Sequence, residues 1–259
     1  MLTSSQNQTT HRLLSASDPA PVEWMNKGSP ARVALLCEHA GQAVPRALEG
    51  LGVTHDILNS HRGWDLGADA LARGIAKRLD APLILQRYSR LVIDCNRPPS
   101  HPDSMPSISD GVPIPANSDL SADDVTRRVT EIFQPLHDAL NVLFDVAPRT
   151  AAFSIHSFTP AMNGQDRPWH AGLLCRADIK TAQTLQNAIT AHAPDKTVAI
   201  NEPYQIDDAS DWFIPVHAEA RNLRHTLIEI RHDELSTPDG IAFWADTLAA
   251  AITQVLDQQ

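Results

Sequence analysis

Cysteine is scarce in this sequence, and that scarcity excludes a disulfide framework. Only three occur in 259 residues: Cys37, Cys95 and Cys175. The odd count, the lack of Cys-x-x-Cys spacing and the apolar run around each one predict reduced core residues in a cytoplasmic protein. Positive charge is also sparse. With 21 basic and 31 acidic residues the formal charge is -10, so no basic footprint for nucleic acid is present. The acidity by itself implies solubility and nothing more. No run reaches the length of a transmembrane helix. The first thirty residues lack an apolar core behind a basic start, so neither a membrane span nor a signal peptide is expected. Also missing are a Gly-x-Gly-x-x-Gly fingerprint, a phosphate-binding Gly-rich loop and a Gly-x-Ser-x-Gly elbow. None of the cysteines sits in an electropositive setting that would mark a nucleophile.

What is present is an alternating α/β pattern. At 42% apolar and 20% charged, the chain can bury one large core, and no linker, charge run or internal repeat divides it. Residues 1–29 read as a polar, proline-punctuated arm, mobile at its start, and residues 30–259 as one domain. Short apolar runs predict strands at 31–37, 82–85, 91–95, 152–156, 172–175, 197–200 and 226–230. Helical spacing appears at 66–79, with Asp65 in N-cap position, and again at 181–192 and 241–256. Ser121 to Asp124 resembles a capping box that opens a helix running to about Val146, kinked at Pro135. One or two helical turns are expected at 45–51. The expectation is a single α/β domain with a mixed, mostly parallel sheet and helices on both faces. Residues 98–119 are rich in Pro, Ser and Asp without periodicity, which suggests a functional loop such as a lid.

Three of the strand ends carry chemistry, the position where α/β enzymes collect functional groups. They are Cys37-Glu38-His39-Ala40-Gly41, Ile155-His156-Ser157 and Ile228-Glu229-Ile230-Arg231. Most of the twelve histidines are ordinary; His11, His55, His101 and His192 read as surface or loop residues. A lone histidine at a strand end is usually hydrogen-bonded at the edge of a core, but His39 and His156 in equivalent positions suit zinc ligation. The acidic ligand is open. Glu38 points away from His39 if the pleat continues, whereas Asp65 stands at a helix start, where it is also a plain N-cap. Gln42 is neutral and a poor zinc ligand. Glu229 sits opposite its isoleucine neighbours. Either it is the salt-bridge partner of Arg231 or Arg97, or it is a general base that moves the proton of an attacking water. Arg90 and Arg97 bracket the run Leu91 to Cys95. Asn96-Arg97, stiffened by Pro98-Pro99, suits a carboxylate clamp, with a structural ion pair as the plain alternative.

Taken together, Cys37-Glu38-His39-Ala40-Gly41 with Pro45, Trp64-Asp65-Leu66-Gly67, Tyr88 to Pro98 and Ile155 to Pro160 resemble the N-formylglutamate amidohydrolase family, from about residue 31 to residue 235. That family is related to the zinc carboxypeptidases, which implies a phosphorylase/hydrolase-like fold. By that resemblance His156 is similar to the last zinc histidine, Asn96-Arg97 to the pair that holds the substrate carboxylate, and Glu229 to the catalytic glutamate. Carboxypeptidases take two ligands from His-x-x-Glu, and here the fourth position is Gln42, which points again to Asp65. The resemblance thus implies Zn2+ held by His39, Asp65 and His156, with Glu229 as proton shuttle. Arg90 would hold a second carboxylate or the developing oxyanion, and His217 would help to polarise the substrate unless it is a loop-surface histidine. The partner would be a small N-acyl acidic amino acid, N-formyl-L-glutamate first, in histidine degradation. A carboxypeptidase, a peptidoglycan amidase and a metal-free dicarboxylate binder are the alternatives.

Overall fold

A computed structural model describes residues 12–258. The polar start of the arm and His11 lie outside the described residues. In chain order the strands are β1 (Val22–Met25), β2 (Val33–Cys37), β3 (Leu83–Gln86), β4 (Ile108–Ser109), β5 (Val112–Pro113), β6 (Ala151–Phe158), β7 (Ala161–Met162), β8 (Gln165–Asp166), β9 (Ala171–Leu174), β10 (Val198–Ile200) and β11 (Arg224–Arg231). The helices are α1 (His55–Leu58), α2 (Ala68–Leu79), α3 (Ala122–Arg128), α4 (Gln134–Val146), α5 (Ile179–His192) and α6 (Pro238–Asp257).

One seven-stranded sheet, in the order β1-β3-β2-β6-β11-β9-β10, organises the single domain. Neighbours among β3, β2, β6 and β11 run parallel, as do β9 and β10, while β1 and the β9–β11 pair are antiparallel. The sheet is therefore mixed and mostly parallel, as the alternation of elements predicts. Strand alternation divides its side chains between two cores. Phe153, Ile155, Ile228 and Ile230 pack with Leu71, Ile75, Leu185, Trp244 and Leu248 from α2, α5 and α6. On the other face Ala34, Leu36, Ala152 and Leu227 meet Leu136, Leu140 and Leu143 of α4. Helices thus cover both faces, and His156 and Glu229 share the alternation class of Leu227.

Several local expectations are refined. Val22–Met25, within the arm, pairs antiparallel with β3 as an edge strand. The helix after Asp65 is capped by Gly67 at φ 81°, with no side-chain cap, so Asp65 is not an N-cap and its carboxylate is free for other partners. Ser121 and Asp124 do form the reciprocal capping box. The helix that follows widens into a π-helix at Val129–Phe133 before Pro135, which accommodates the proline's missing N–H. Leu91 to Cys95 is buried but is not a strand. Its backbone is satisfied piecemeal: the Val92 carbonyl accepts from Arg128 (2.8 Å), the Leu91 carbonyl from Asn117 (2.9 Å), and the Asp94 amide donates to Ser104 (2.7 Å). Between 98 and 119 the chain forms short 3-10 turns and the β4–β5 hairpin. Among the described residues no helix is long and apolar enough to cross a membrane, and all three cysteines are buried and unpaired.

Gly41 shows how tightly β2 is seated against the segment after β3. A Cβ there would collide with the Arg87 carbonyl, beside the Ala43–Tyr88 bridge. Gly41→Ala should therefore destabilise the fold by about 1–3 kcal/mol through overpacking, measured as a lower urea midpoint at unchanged m-value.

Candidate active site

The three adjacent central strands β2, β6 and β11 deliver the site. His39 lies two residues beyond β2, His156 is on β6, and Glu229 is its register partner on β11. All three, with Asp65, line a cavity of about 550 Å³ whose wall also includes Arg62, Arg90, Asp94, Asn96 and Arg97.

Asp65 stands between the two imidazoles. Its Oδ2 is 2.9 Å from Nδ1 of His156 and 3.4 Å from Nδ1 of His39, and it also accepts from the Ser157 amide at 3.2 Å. The two rings meet edge to face at 79° with centroids 4.8 Å apart. Ligand atoms of His39, Asp65 and His156 lie within 4.8 Å of one another, all three residues buried, so this group is able to hold a metal ion. The outer ring nitrogens fit the same purpose. Nε2 of His39 is 2.8 Å from Asp94 Oδ1, and Nε2 of His156 is 3.1 Å from Glu38 Oε2 and 2.8 Å from Ser154 Oγ. A histidine whose far nitrogen bonds a carboxylate has its near nitrogen fixed in direction and made more basic, the usual arrangement around metal-ligating imidazoles. The donor set of two nitrogens and one carboxylate, with a cavity alongside, suits zinc with an open position.

The electrostatics follow from burial and pairing. Burial opposes charge on His156, but Glu38 and Asp65 outweigh it and hold its pKa well above the ordinary value. On His39, burial and the nearby Arg90 are likewise outweighed by Asp94 and Asp65, and its pKa is raised. Burial would raise the carboxyl of Asp65 and of Asp94. In both it is overcome, for Asp65 by His39 and His156 and for Asp94 by His39 and Arg90, so both are lowered. The carboxylates around each imidazole thus favour its charged form, and a metal ion would compete with protons for the same ring nitrogens. Glu229 differs. Burial dominates and pushes it up to about 7, with His156 opposing and Asp65 adding to the rise. Its Oε2 is buried with no hydrogen-bond partner among the described residues, so the carboxyl is not committed to a structural role.

The remaining expected residues divide. Arg90 reaches Asp94 at 2.7 Å and Asp65 at 3.4 Å, and Arg97 lies 3.6 Å from Asp94 and donates to the Ser210 carbonyl at 3.2 Å. The side-chain oxygen of Asn96 accepts from Phe213 N at 3.1 Å, and its amide faces Asp211 at 3.5 Å. All three line the cavity. His217 does not. It is buried against Phe144 and Phe213, with its ring stacked on His137 and Nε2 2.9 Å from His137 Nδ1. The structure therefore does not bring His217 together with the cavity-lining residues expected to act beside it. Glu38 is likewise not in the ligand group. The pleat ends at Cys37, and the following turn sends its carboxylate to the outer nitrogen of His156. Asp94 escaped notice because it is hidden in an apolar run, and Asp211 because nothing in its own neighbourhood marks it.

Comparison with known proteins gives the family. The profile of the N-formylglutamate amidohydrolase family matches residues 31–235. The chain belongs to this family. A solved gene product of Agrobacterium tumefaciens is 33% identical and superposes with a TM-score of 0.86, over 95% of this chain and 98% of that one. An N-acetylmuramoyl-L-alanine amidase of Nostoc punctiforme (13% identity, TM-score 0.43, 89% of this chain and 100% of that one) and a metallo-carboxypeptidase from Burkholderia cenocepacia (14%, 0.38, 90% and 60%) are similar only distantly. At those levels the likeness carries no functional argument. Among the curated proteins none matches significantly.

The His137–His217 pair makes a prediction about acid stability. Burial lowers His137 to about 3, with His217 adding to it, and lowers His217 to about 4, with Arg221 adding to it. Both pKa values fall below the unfolded value, about 6.5, so between about pH 6.5 and about 4 the unfolded chain binds protons that the folded chain refuses. Stability should therefore fall as pH drops through that window, by up to about 1.4 kcal/mol per pH unit for each ring. Urea titrations from pH 7 to pH 4.5 should show a flatter dependence in His137→Asn than in the native sequence.

Proposed function

We propose that the chain is a zinc-dependent amidohydrolase that removes the acyl group from an N-acyl acidic amino acid, with N-formyl-L-glutamate, giving formate and glutamate, as the leading substrate. Family membership supports amide hydrolysis. The observation that carries the metal-dependent reading is the pair of Nδ1 atoms aimed at Asp65 while Asp94 and Glu38 hold the outer nitrogens.

In this reading His39, Asp65 and His156 hold the ion. When bound, it supplies Lewis acidity toward the scissile carbonyl and a water primed for attack. Glu229, beside His156 in the register, would take a proton from the attacking water and return it to the leaving nitrogen. Its raised pKa suits both halves of the transfer, since a group near neutrality accepts and releases a proton with little penalty. Arg97 with Asn96 binds the substrate carboxylate. Arg90, half-committed to Asp65 and Asp94, offers its remaining donors to the developing oxyanion. Asp94 and Glu38 orient the imidazoles. A cytoplasmic setting fits the three buried, unpaired cysteines.

Three substitutions separate the roles. His156→Ala should abolish both zinc content and formate release from N-formylglutamate, and a variant that keeps full zinc and full turnover would sink the assignment. Glu229→Gln should keep stoichiometric zinc by elemental analysis and lose at least about 100-fold in kcat. In the same assay Asp94→Asn should weaken zinc binding by about 10–100-fold, read by competition with a chelating dye. Native protein purified under non-chelating conditions without zinc would favour a dicarboxylate binder instead. Cleavage of peptides or muropeptides in preference to N-formylglutamate would favour a carboxypeptidase or an amidase.

A further inference from the structure

Three arginines line the cavity, Arg62, Arg90 and Arg97, and their charges are not equally balanced. Arg90 is neutralised by Asp94 at 2.7 Å and Asp65 at 3.4 Å. Arg97 shares Asp94 at 3.6 Å. Arg62 makes no ion pair with a carboxylate among the described residues; its Nε donates to the Ser109 carbonyl at 3.3 Å and its Nη2 to the Asp110 carbonyl at 3.2 Å. The Asp110 carboxylate is engaged separately by His61 at 2.8 Å. Carbonyl dipoles orient a guanidinium without cancelling its charge. Five N–H donors with two in use leave a planar fork able to take a carboxylate.

The position of Arg62 is fixed at both ends. Three residues before Asp65 in the chain, it belongs to a turn whose Gly63 carbonyl accepts from the Arg90 amide at 3.1 Å and from Ser89 Oγ at 2.7 Å. Its head is clamped to the β4–β5 hairpin, which forms another part of the cavity wall through Ile108, Ser109 and Asp110. Little side-chain freedom remains to be lost when an anion binds.

We infer that Arg62 anchors a second substrate carboxylate, and so selects N-acyl dicarboxylic amino acids over their neutral counterparts. This rests on the amidohydrolase reading for the identity of the substrate, and it leaves Arg90 to the reacting end of the cavity. Two paired comparisons test it, each with and without the second negative charge. One is zinc-loaded protein hydrolysing N-formylglutamate or N-formylglutamine, read as formate release. The other is calorimetric binding of glutarate or its monoamide. The native protein should favour the dicarboxylate in both. Arg62→Gln should narrow that preference by about tenfold to a hundredfold, the range for a charge-assisted hydrogen bond, through KM more than kcat. Arg62→Glu should reverse it. Arg62→Gln keeping the native ratio, or losing on both members of each pair equally as a merely structural clamp would, overturns the inference. Hydrolysis of neither formyl compound by the native protein would sink the amidohydrolase reading, while the calorimetric ratio still decides the role of Arg62.

Discussion

One carboxylate oxygen facing two buried imidazoles is the constraint to which the rest of the molecule conforms. Asp65 Oδ2 faces His39 and His156 together, and burial of that many charged groups is tolerable only if each finds partners. The partners come from distant parts of the chain: Glu38 at the end of β2, Asp94 and Arg90 from the segment after β3, and Ser154 and the Ser157 amide from β6. This requirement explains two departures from regular structure. The helix after Asp65 begins late, at Ala68 behind a Gly67 cap, because the Asp65 carboxylate is turned into the site and cannot cap it. The segment from Leu91 to Cys95 stays irregular, which lets Asp94 meet His39, Arg90 and the Asn96 amide at once.

The cavity also holds two kinds of carboxyl group, and the difference is physical. Against burial, Asp65 is lowered by His39 and His156 and Asp94 by His39 and Arg90, whereas Glu229, register partner of His156 on an otherwise apolar strand, is raised by desolvation. Environments that push acid groups apart in this way are a feature of sites where acid and base roles are divided between carboxyl groups.

Much of this was legible in the residues themselves. His39, His156 and Glu229 stand out because each interrupts or ends an apolar run, and in a parallel sheet such interruptions fall at one edge. The central strands were visible for the same reason. Leu91 to Cys95 misled because a five-residue apolar run reads alike whether it forms a strand or a buried coil; what decides is Asn117 and Arg128, far along the chain. Val22–Met25 was hidden by its short, half-buried edge position. Glu38 was assigned a direction by extending a pleat that stops one residue earlier. His217 could not be placed from sequence, since only its ring contacts reveal that it belongs to an aromatic cluster.

Arg128 ties the segment between 98 and 119 to the rest of the fold. Its fully buried guanidinium holds the carbonyls of Val92 and Ala116 and the side chain of Asn117. A stretch whose composition suggests a moving flap is thereby riveted from beneath to the scaffold that carries Asp94. The cavity wall that this segment supplies is held by buried hydrogen bonds from a distant helix as well as by its own β4–β5 hairpin.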